Sequence, residues 1–176
     1  MKNAEIGALL GPIIGIGGAI GSFAGGFLTD RFGKTDKRPY LKIPAYAVII
    51  SIFFAAGSLF LQNSFLSLTC LGLCVFLQSI YLGPSIAVVH SLVPASMRSL
   101  ASAVLFLVLN LIGLGFGPLV VGFLSDLFAP EFGVESLRWA ISIIIPVGAA
   151  AAAFFFISSK KLATDLMLEV ERKSNN

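Results

Sequence analysis

The chain has 176 residues, of which 57% are hydrophobic and only 12% charged, with a mean hydropathy of +0.95. Water-soluble domains carry about 25% charged residues, so a soluble globular fold is excluded. The net charge of +3 and a pI near 9.0 would suit a nucleic-acid partner, but the positions of the charges, given below, exclude that reading.

In chain order, no Asp, Glu, Lys or Arg occurs between Ile6 and Thr29, Ile43 and Gln62, Phe65 and Val89, Leu100 and Ser125, or Trp139 and Ser159. About 20 apolar residues rising about 1.5 Å each cross a hydrocarbon core of about 30 Å, and each run reaches that length. Lipid cannot satisfy backbone donors and acceptors, so spanning segments are helices or closed barrels. Barrel strands alternate polar and apolar residues, and these runs do not. The expectation is an all-α integral membrane protein with five transmembrane helices. The first run is too long for the apolar core of a signal peptide and leads into a basic loop, so it reads as a mature span.

The basic residues fix an orientation. Arg31, Lys34, Lys37, Arg38 and Lys42 follow the first run, Arg98 follows the third, and Lys160, Lys161, Arg172 and Lys173 follow the fifth. Only Lys2 and Arg138 fall on the other side. Cytoplasmic loops collect Lys and Arg, so the N-terminus is expected outside and the C-terminus in the cytoplasm of a plasma (inner) membrane. The basicity is topological, and no nucleic-acid partner is expected.

Gly26-Phe27-Leu28-Thr29-Asp30 closes the first run and Gly122-Phe123-Leu124-Ser125-Asp126 closes the fourth. Each follows a glycine-dense stretch, Gly17, Gly18, Gly21 and Gly25 in one, Gly113, Gly115 and Gly117 in the other. Three crossings apart, the two runs point in opposite directions, so the similarity reads as an inverted repeat of the kind from which many secondary transporters are built. Gly17, Gly21 and Gly25, at four-residue spacing, predict close helix packing in lipid. Pro84, Pro118 and Pro146 stand inside runs, where each removes a backbone hydrogen bond and favours a kink.

Cys70 and Cys74, four apart on one helix, lie too far from each other for a disulfide and read as packing residues. The tail places Leu162, Leu166 and Val170 on one face, with Lys161–Asp165 and Glu169–Lys173 spaced as helical ion pairs; a surface helix and a solvated end both fit. Gly33-Lys34-Thr35 resembles the close of a phosphate-binding loop, but Leu28 stands where that motif needs glycine. His90 is the single histidine, which leaves no histidine cluster for a metal. No catalytic residues, cofactor or metal are expected, and the chain is not read as an enzyme.

Gly26-Phe27-Leu28-Thr29-Asp30-Arg31-Phe32-Gly33-Lys34 resembles the G-x-L-x-D-R-x-G-[RK] loop signature of the major facilitator superfamily. Gly83-Pro84, Leu92-Val93-Pro94-Ala95-Ser96-Met97-Arg98 and the run Asn110 to Pro118, with Gly122 and Ser125-Asp126, are similar to the tenth-to-eleventh-helix region of Spinster-like members. The resemblance implies helices eight to twelve of a twelve-helix transporter, an incomplete six-helix bundle lacking its first helix. Helices two to six of an N-terminal half would give the same topology. Residues 1–160 form the expected bundle and 161–176 a cytoplasmic tail. The resemblance also implies that the first, third and fourth helices line a central cavity. Gly26, Asp30, Arg31, Gly33 and Lys34 are then a cytoplasmic latch between two bundles, with Asp30 able to pair with Arg31 and to face helix N-termini of the neighbouring bundle.

Polar groups at mid-membrane are costly without partners. Gln78, near the centre of the third run, with Tyr81 and Ser85 on the same face, and Asn110, near the centre of the fourth, are the candidate substrate contacts; an uncharged amide can equally join helices. His90, at a helix end, reads as interfacial. The expected function is secondary transport of a small organic or lipid-like solute by alternating access. The partners are the lipid bilayer, that amphiphilic solute and a missing N-terminal half. A non-transporting assembly or anchoring protein, and an inactive gene fragment, are the alternatives.

Overall fold

The computed structural model describes residues 3–34 and 36–174. All regular structure among them is helical. Helix α1 (Asn3–Phe32) leads through a short loop to α2 (Pro39–Phe60). Helix α3 (Ser64–Ser79) and α4 (Leu82–Ser91) follow, then a 3-10 turn and α5 (Arg98–Leu109). A π-helical segment (Asn110–Phe116) joins α5 to α6 (Gly117–Phe132). A second 3-10 turn leads to α7 (Ser136–Ile144) and α8 (Val147–Ser174). Lys2 and Thr35, used above for topology and for the rejected phosphate loop, lie outside the described residues, as do the side chains of the tail beyond Leu162.

Local chemistry sets the boundaries. Pro39 occupies the first turn of α2, where its missing N–H costs nothing and its fixed φ is already helical. Asn63 caps α3 by accepting from the Phe65 and Leu66 amides at 3.0 and 3.3 Å. Gly133, at φ 54°, ends α6 in a conformation that side chains with a Cβ rarely adopt. The internal prolines mark the irregularities. Helix α3 gives way to α4 at Ile80–Tyr81, and Ile80 is four residues before Pro84, where the ring clashes with a helical carbonyl. The π segment directly precedes Pro118, and the α7–α8 break falls at Ile145–Pro146.

Four helical stretches are long and apolar enough to cross a membrane: Leu10–Phe32, Pro39–Phe60, Ser64–Ser91 and the 68 residues Ala95–Leu162. The last is interrupted at Gly133, across which α6 and α7 pack together. The distribution of side chains is that of a lipid-embedded molecule. The buried positions are held largely by small groups, Ala45, Ala47, Ser51, Ala140 and Ala152 among them, whereas Phe23, Phe65, Phe123 and Phe154 are 69–78% exposed. In water so much contiguous apolar surface would drive aggregation. In lipid large side chains gain nothing from hiding, and small ones let backbones approach.

Helix α2 is the central element. It packs on α3 along one side and on α8 along another, where Tyr46 meets Phe156 edge-on at 5.1 Å. Its far end carries Phe60 against Trp139, 5.9 Å between ring centroids, and Trp139 lies 5.2 Å from Phe132. Its near end carries Tyr40 against the loop after α1. The two ends of α2 therefore mark two faces of the molecule, about 33 Å apart for 22 residues at the helical rise.

Candidate functional site

Two features stand out: the crossing of α1 with the broken α3–α4 helix, and the signature loop between α1 and α2. At the crossing, Gly21 lies against the Phe76 carbonyl and Gly25 against the backbone of Ile80. A Cβ at either glycine would collide with main chain, which cannot yield as a flexible side chain can. Gly83, across the break, sits over the Ser22 carbonyl, with 3.2 Å to any Cβ placed there. The Ser22 hydroxyl donates to the Ser79 carbonyl at 3.3 Å. Helix α1 thus seats itself on the stretch of α3 whose hydrogen-bond ladder the break interrupts. A break at membrane depth is tolerated where protein covers it, and here a glycine face does so.

The expected substrate residues group around this break. Gln78 is exposed and its amide donates to the Cys74 sulfur at 3.4 Å. Tyr81 and Ser85 are half-buried, and the Tyr81 carbonyl accepts the Ser85 amide at 2.9 Å. Ile80 and Tyr81 form the turn between α3 and α4 and keep helical dihedrals, φ −58° with ψ −30° and φ −69° with ψ −24°. Asn110 is exposed and donates to the carbonyl of Phe106, on its own helix, at 2.7 Å. No hydrogen bond joins Asn110 to Gln78, Tyr81 or Ser85 among the described residues. Cys70 touches Gly57 of α2 and Cys74 is buried; both are free thiols.

In the signature loop, Thr29 is wholly buried and donates back to the carbonyls of Gly25 and Gly26 at 2.8 and 3.0 Å. The Gly33 amide donates to the Thr29 carbonyl at 2.7 Å, closing α1. The Tyr40 ring lies directly on Gly33, leaving no room for a Cβ. Tyr40 then donates its hydroxyl to Asp30 at 2.6 Å. The expected Asp30–Arg31 pairing is corrected by this bond. Successive helix residues do not face each other, and it is Tyr40, ten residues on, that reaches the carboxylate. Arg31 and Lys34 are exposed; Gly26 has open space where a Cβ would stand.

Sequence reasoning missed five polar contacts: Ser22 with Ser79, Tyr40 with Asp30, Ser67 with the Ser58 carbonyl at 2.6 Å, Ser125 with Ser136 at 3.1 Å, and His90 with Ser102 at 2.6 Å. The last ties the end of α4 to α5. None lies within one helical turn, so no spacing rule announces it.

The sequence profile of the Major Facilitator Superfamily matches residues 3–172. A curated relative, an "MFS-type efflux pump" of Mycolicibacterium smegmatis (strain ATCC 700084 / mc(2)155), is 30% identical over 145 residues. The match covers 82% of this chain and 34% of the relative, so the chain spans about a third of the length of the curated relative it matches.

Proposed function

The chain belongs to the major facilitator superfamily, and from that premise we propose that it supplies most of one helical bundle of a secondary transporter. The bundle crosses the membrane five times, Ala95–Leu162 counting as two crossings, and corresponds to helices eight to twelve. A small organic or lipid-like solute moves by alternating access between this bundle and an N-terminal half. Export is the direction that the name of the mycobacterial relative suggests.

The observation that carries this reading is the seating of the α1 glycine face on the broken α3–α4 helix. Discontinuous helices at a repeat interface are where secondary transporters hold substrate. Here Gln78, Tyr81 and Ser85 offer an amide and two hydroxyls beside the break. These groups donate and accept hydrogen bonds without fixed charge, which suits a neutral or amphiphilic solute better than a small ion. The inverted repeat is supported by the ends of α2: Asp30 adjoins one through Tyr40, while α6, which carries Asp126, adjoins the other through Phe132 and Trp139.

The test has two arms. Cysteines placed at Asn63 and Glu131 should react with a membrane-impermeant maleimide from outside intact cells, and one at Lys34 should not. Liposomes holding only this chain should take up neither carboxyfluorescein nor a fluorescent lysophospholipid, because alternating access needs two bundles around one midplane site. External labelling at Lys34 would overturn the orientation, and robust uptake by the chain alone would overturn the division into two bundles.

A further inference from the structure

The helix from Arg98 to Phe132 is held at its two ends and bare in its middle. Near its start the His90 ring meets the Ser102 hydroxyl at 2.6 Å, and towards its far end the Ser125 and Ser136 hydroxyls meet at 3.1 Å. Between these contacts lies the π segment Asn110–Phe116, whose main neighbours are α5 and α6, the helices it joins. No residue of the segment is buried. A Cβ at Gly113 would meet nothing within 4 Å, and one at Gly115 or Gly117 would come nearest to atoms of the segment itself. Its winding is therefore set by its own hydrogen bonds and by the two held ends, with no packing to enforce it.

A π turn bonds each amide to the carbonyl five residues back, one more than an α turn. The Gly117 amide does so, reaching the Ile112 carbonyl, whereas the Asn110 amide still reaches Phe106, four back. The segment thus stores about one residue more than an α-helix would place between α5 and α6. Pro118 follows at once and has no N–H to offer. In the π winding this leaves the Gly113 carbonyl without a donor, since the Gly117 amide is spent on Ile112. In an α winding the carbonyl stranded would be that of Leu114, and the proline ring would also press against it. Each winding therefore carries its own local penalty.

We propose that this helix is a register switch, in which Asn110–Phe116 exchanges between the π winding and an α winding. The exchange turns α6 by about 100° around its axis and slides it about 1.5 Å along that axis relative to α5, the increments of one helical residue. The place that Ser125 holds beside Ser136 then passes to Leu124. The two end contacts form together only in the π winding, so they act as a catch. His90 with Ser102 holds α5, Ser125 with Ser136 holds α6, and one of them opens when the winding changes. Packed helices turn small local changes into discrete steps because their interfaces are bistable. The switch belongs to this chain and involves no solute, so its failure would leave the transport reading standing.

The test joins thiols across α6 and α7 in nanodiscs, using the full chain with its free cysteines, Cys70 and Cys74, replaced by alanine. Dibromobimane, which links only closely spaced sulfurs, should join cysteines placed at Ser125 and Ser136 rapidly. It should join cysteines placed at Leu124 and Ser136 more slowly, yet well above single-cysteine controls. Pro118→Ala returns a hydrogen bond to the α winding and removes the ring clash. It should speed the Leu124–Ser136 reaction by at least roughly fivefold, the factor that one hydrogen bond of about 1 kcal/mol is worth. Deleting Gly113 removes the stored residue and lets an unbroken α-helix keep the present facing of α6. The Ser125–Ser136 reaction should then persist, the Leu124–Ser136 reaction should vanish and the unfolding midpoint should hold. No Leu124–Ser136 product above the controls, a rate that Pro118→Ala leaves unchanged, product that survives the Gly113 deletion, or unfolding of the deletion variant would each overturn the switch, the third by marking mere side-chain reach.

Discussion

Helix α1 and the helix built from α5, the π segment and α6 carry nearly the same pentapeptide and comparable glycine stripes. Helix α1 stops at Phe32, just past Asp30, whereas α6 does not close at Asp126 as expected but runs on to Phe132. The two stripes stand in opposite surroundings. On α1, Gly21 and Gly25 are pressed against main chain of the broken helix. On the other, a Cβ at Gly113 or Gly122 would meet nothing within 4 Å, no residue from Arg98 to Phe132 is buried, and the principal neighbours are α4 at one end and α7 at the other. A small-residue stripe is therefore a capacity for packing that only a partner turns into stability. In α1 the partner is on this chain. In α5–α6 no such partner lies against Gly113 or Gly122 among the described residues, as the proposed inverted repeat would have it if the helix equivalent to α3 and α4 were not among them.

The largest expected effect separates these two stripes. Gly25→Val should force α1 off Ile80 and lower the stability of the purified chain by about 1–3 kcal/mol, the usual cost of overpacking. Gly122→Val should leave the unfolding midpoint in detergent nearly unchanged. Equal losses from both would mean that the bare stripe is occupied within this chain, and the comparison would fail. In a completed transporter the contrast should disappear, with both substitutions abolishing transport.

A smaller effect tests what closes the packed helix. Tyr40→Phe keeps the ring on Gly33 but removes the donor to Asp30, and should cost about 0.5–1.5 kcal/mol, at the low end because the bond is exposed. Ser22→Ala, which deletes the bond to Ser79, should cost about 0.6 kcal/mol, the average for hydrogen bonds between membrane helices. Thermal unfolding of the single variants and of the pair measures both, and the losses should add, since the residues share no partner. A Ser22→Ala loss well above that of Tyr40→Phe would assign the crossing, rather than the loop, as the polar anchor of α1.

Much of this fold was legible before any coordinates, for a definite reason. In lipid the backbone must be helical and charge must lie outside the core, so the charge-free runs had to fall inside the helical stretches, and they do: Ile43 to Gln62 sits within two residues of the end of α2, and Phe65 to Val89 falls inside the stretch Ser64–Ser91. Pro84 announced the break at Ile80 because ring and carbonyl cannot share a helical turn. What spacing could not give was which residues meet across helices. Tyr40 reaches Asp30 only because Gly33 lets the ring lie flat on the loop, and Ser22 finds Ser79 only because Gly21 and Gly25 bring two backbones together. The candidate site met the same limit: helical periodicity put Gln78, Tyr81 and Ser85 on one face, and no spacing rule says which neighbouring helix that face meets.

The smallest stability effects are expected at Gln78 and Asn110, and their smallness is informative. Each side chain bonds within its own helix, Gln78 to a thiol sulfur, a weak acceptor, at 3.4 Å and Asn110 to the Phe106 carbonyl at 2.7 Å. Replacing either by alanine should therefore change stability by less than the roughly 0.6 kcal/mol of an interhelical bond. In a completed transporter the two should part. Gln78 stands beside the break with an amide that gives up little to turn towards solute, so Gln78→Ala should weaken substrate binding while the folded protein remains in the membrane. Asn110 caps the carbonyl of Phe106 where the π segment begins, and π turns inside helices recur at functional sites. Asn110→Ala should leave affinity intact and alter the rate of transport, because it loosens the point at which the α5–α6 helix bends. Binding titrations and transport rates for both variants decide the assignment. Unchanged affinity in Gln78→Ala would remove it from the solute site, and an unchanged rate in Asn110→Ala would leave the π segment without a role in the cycle.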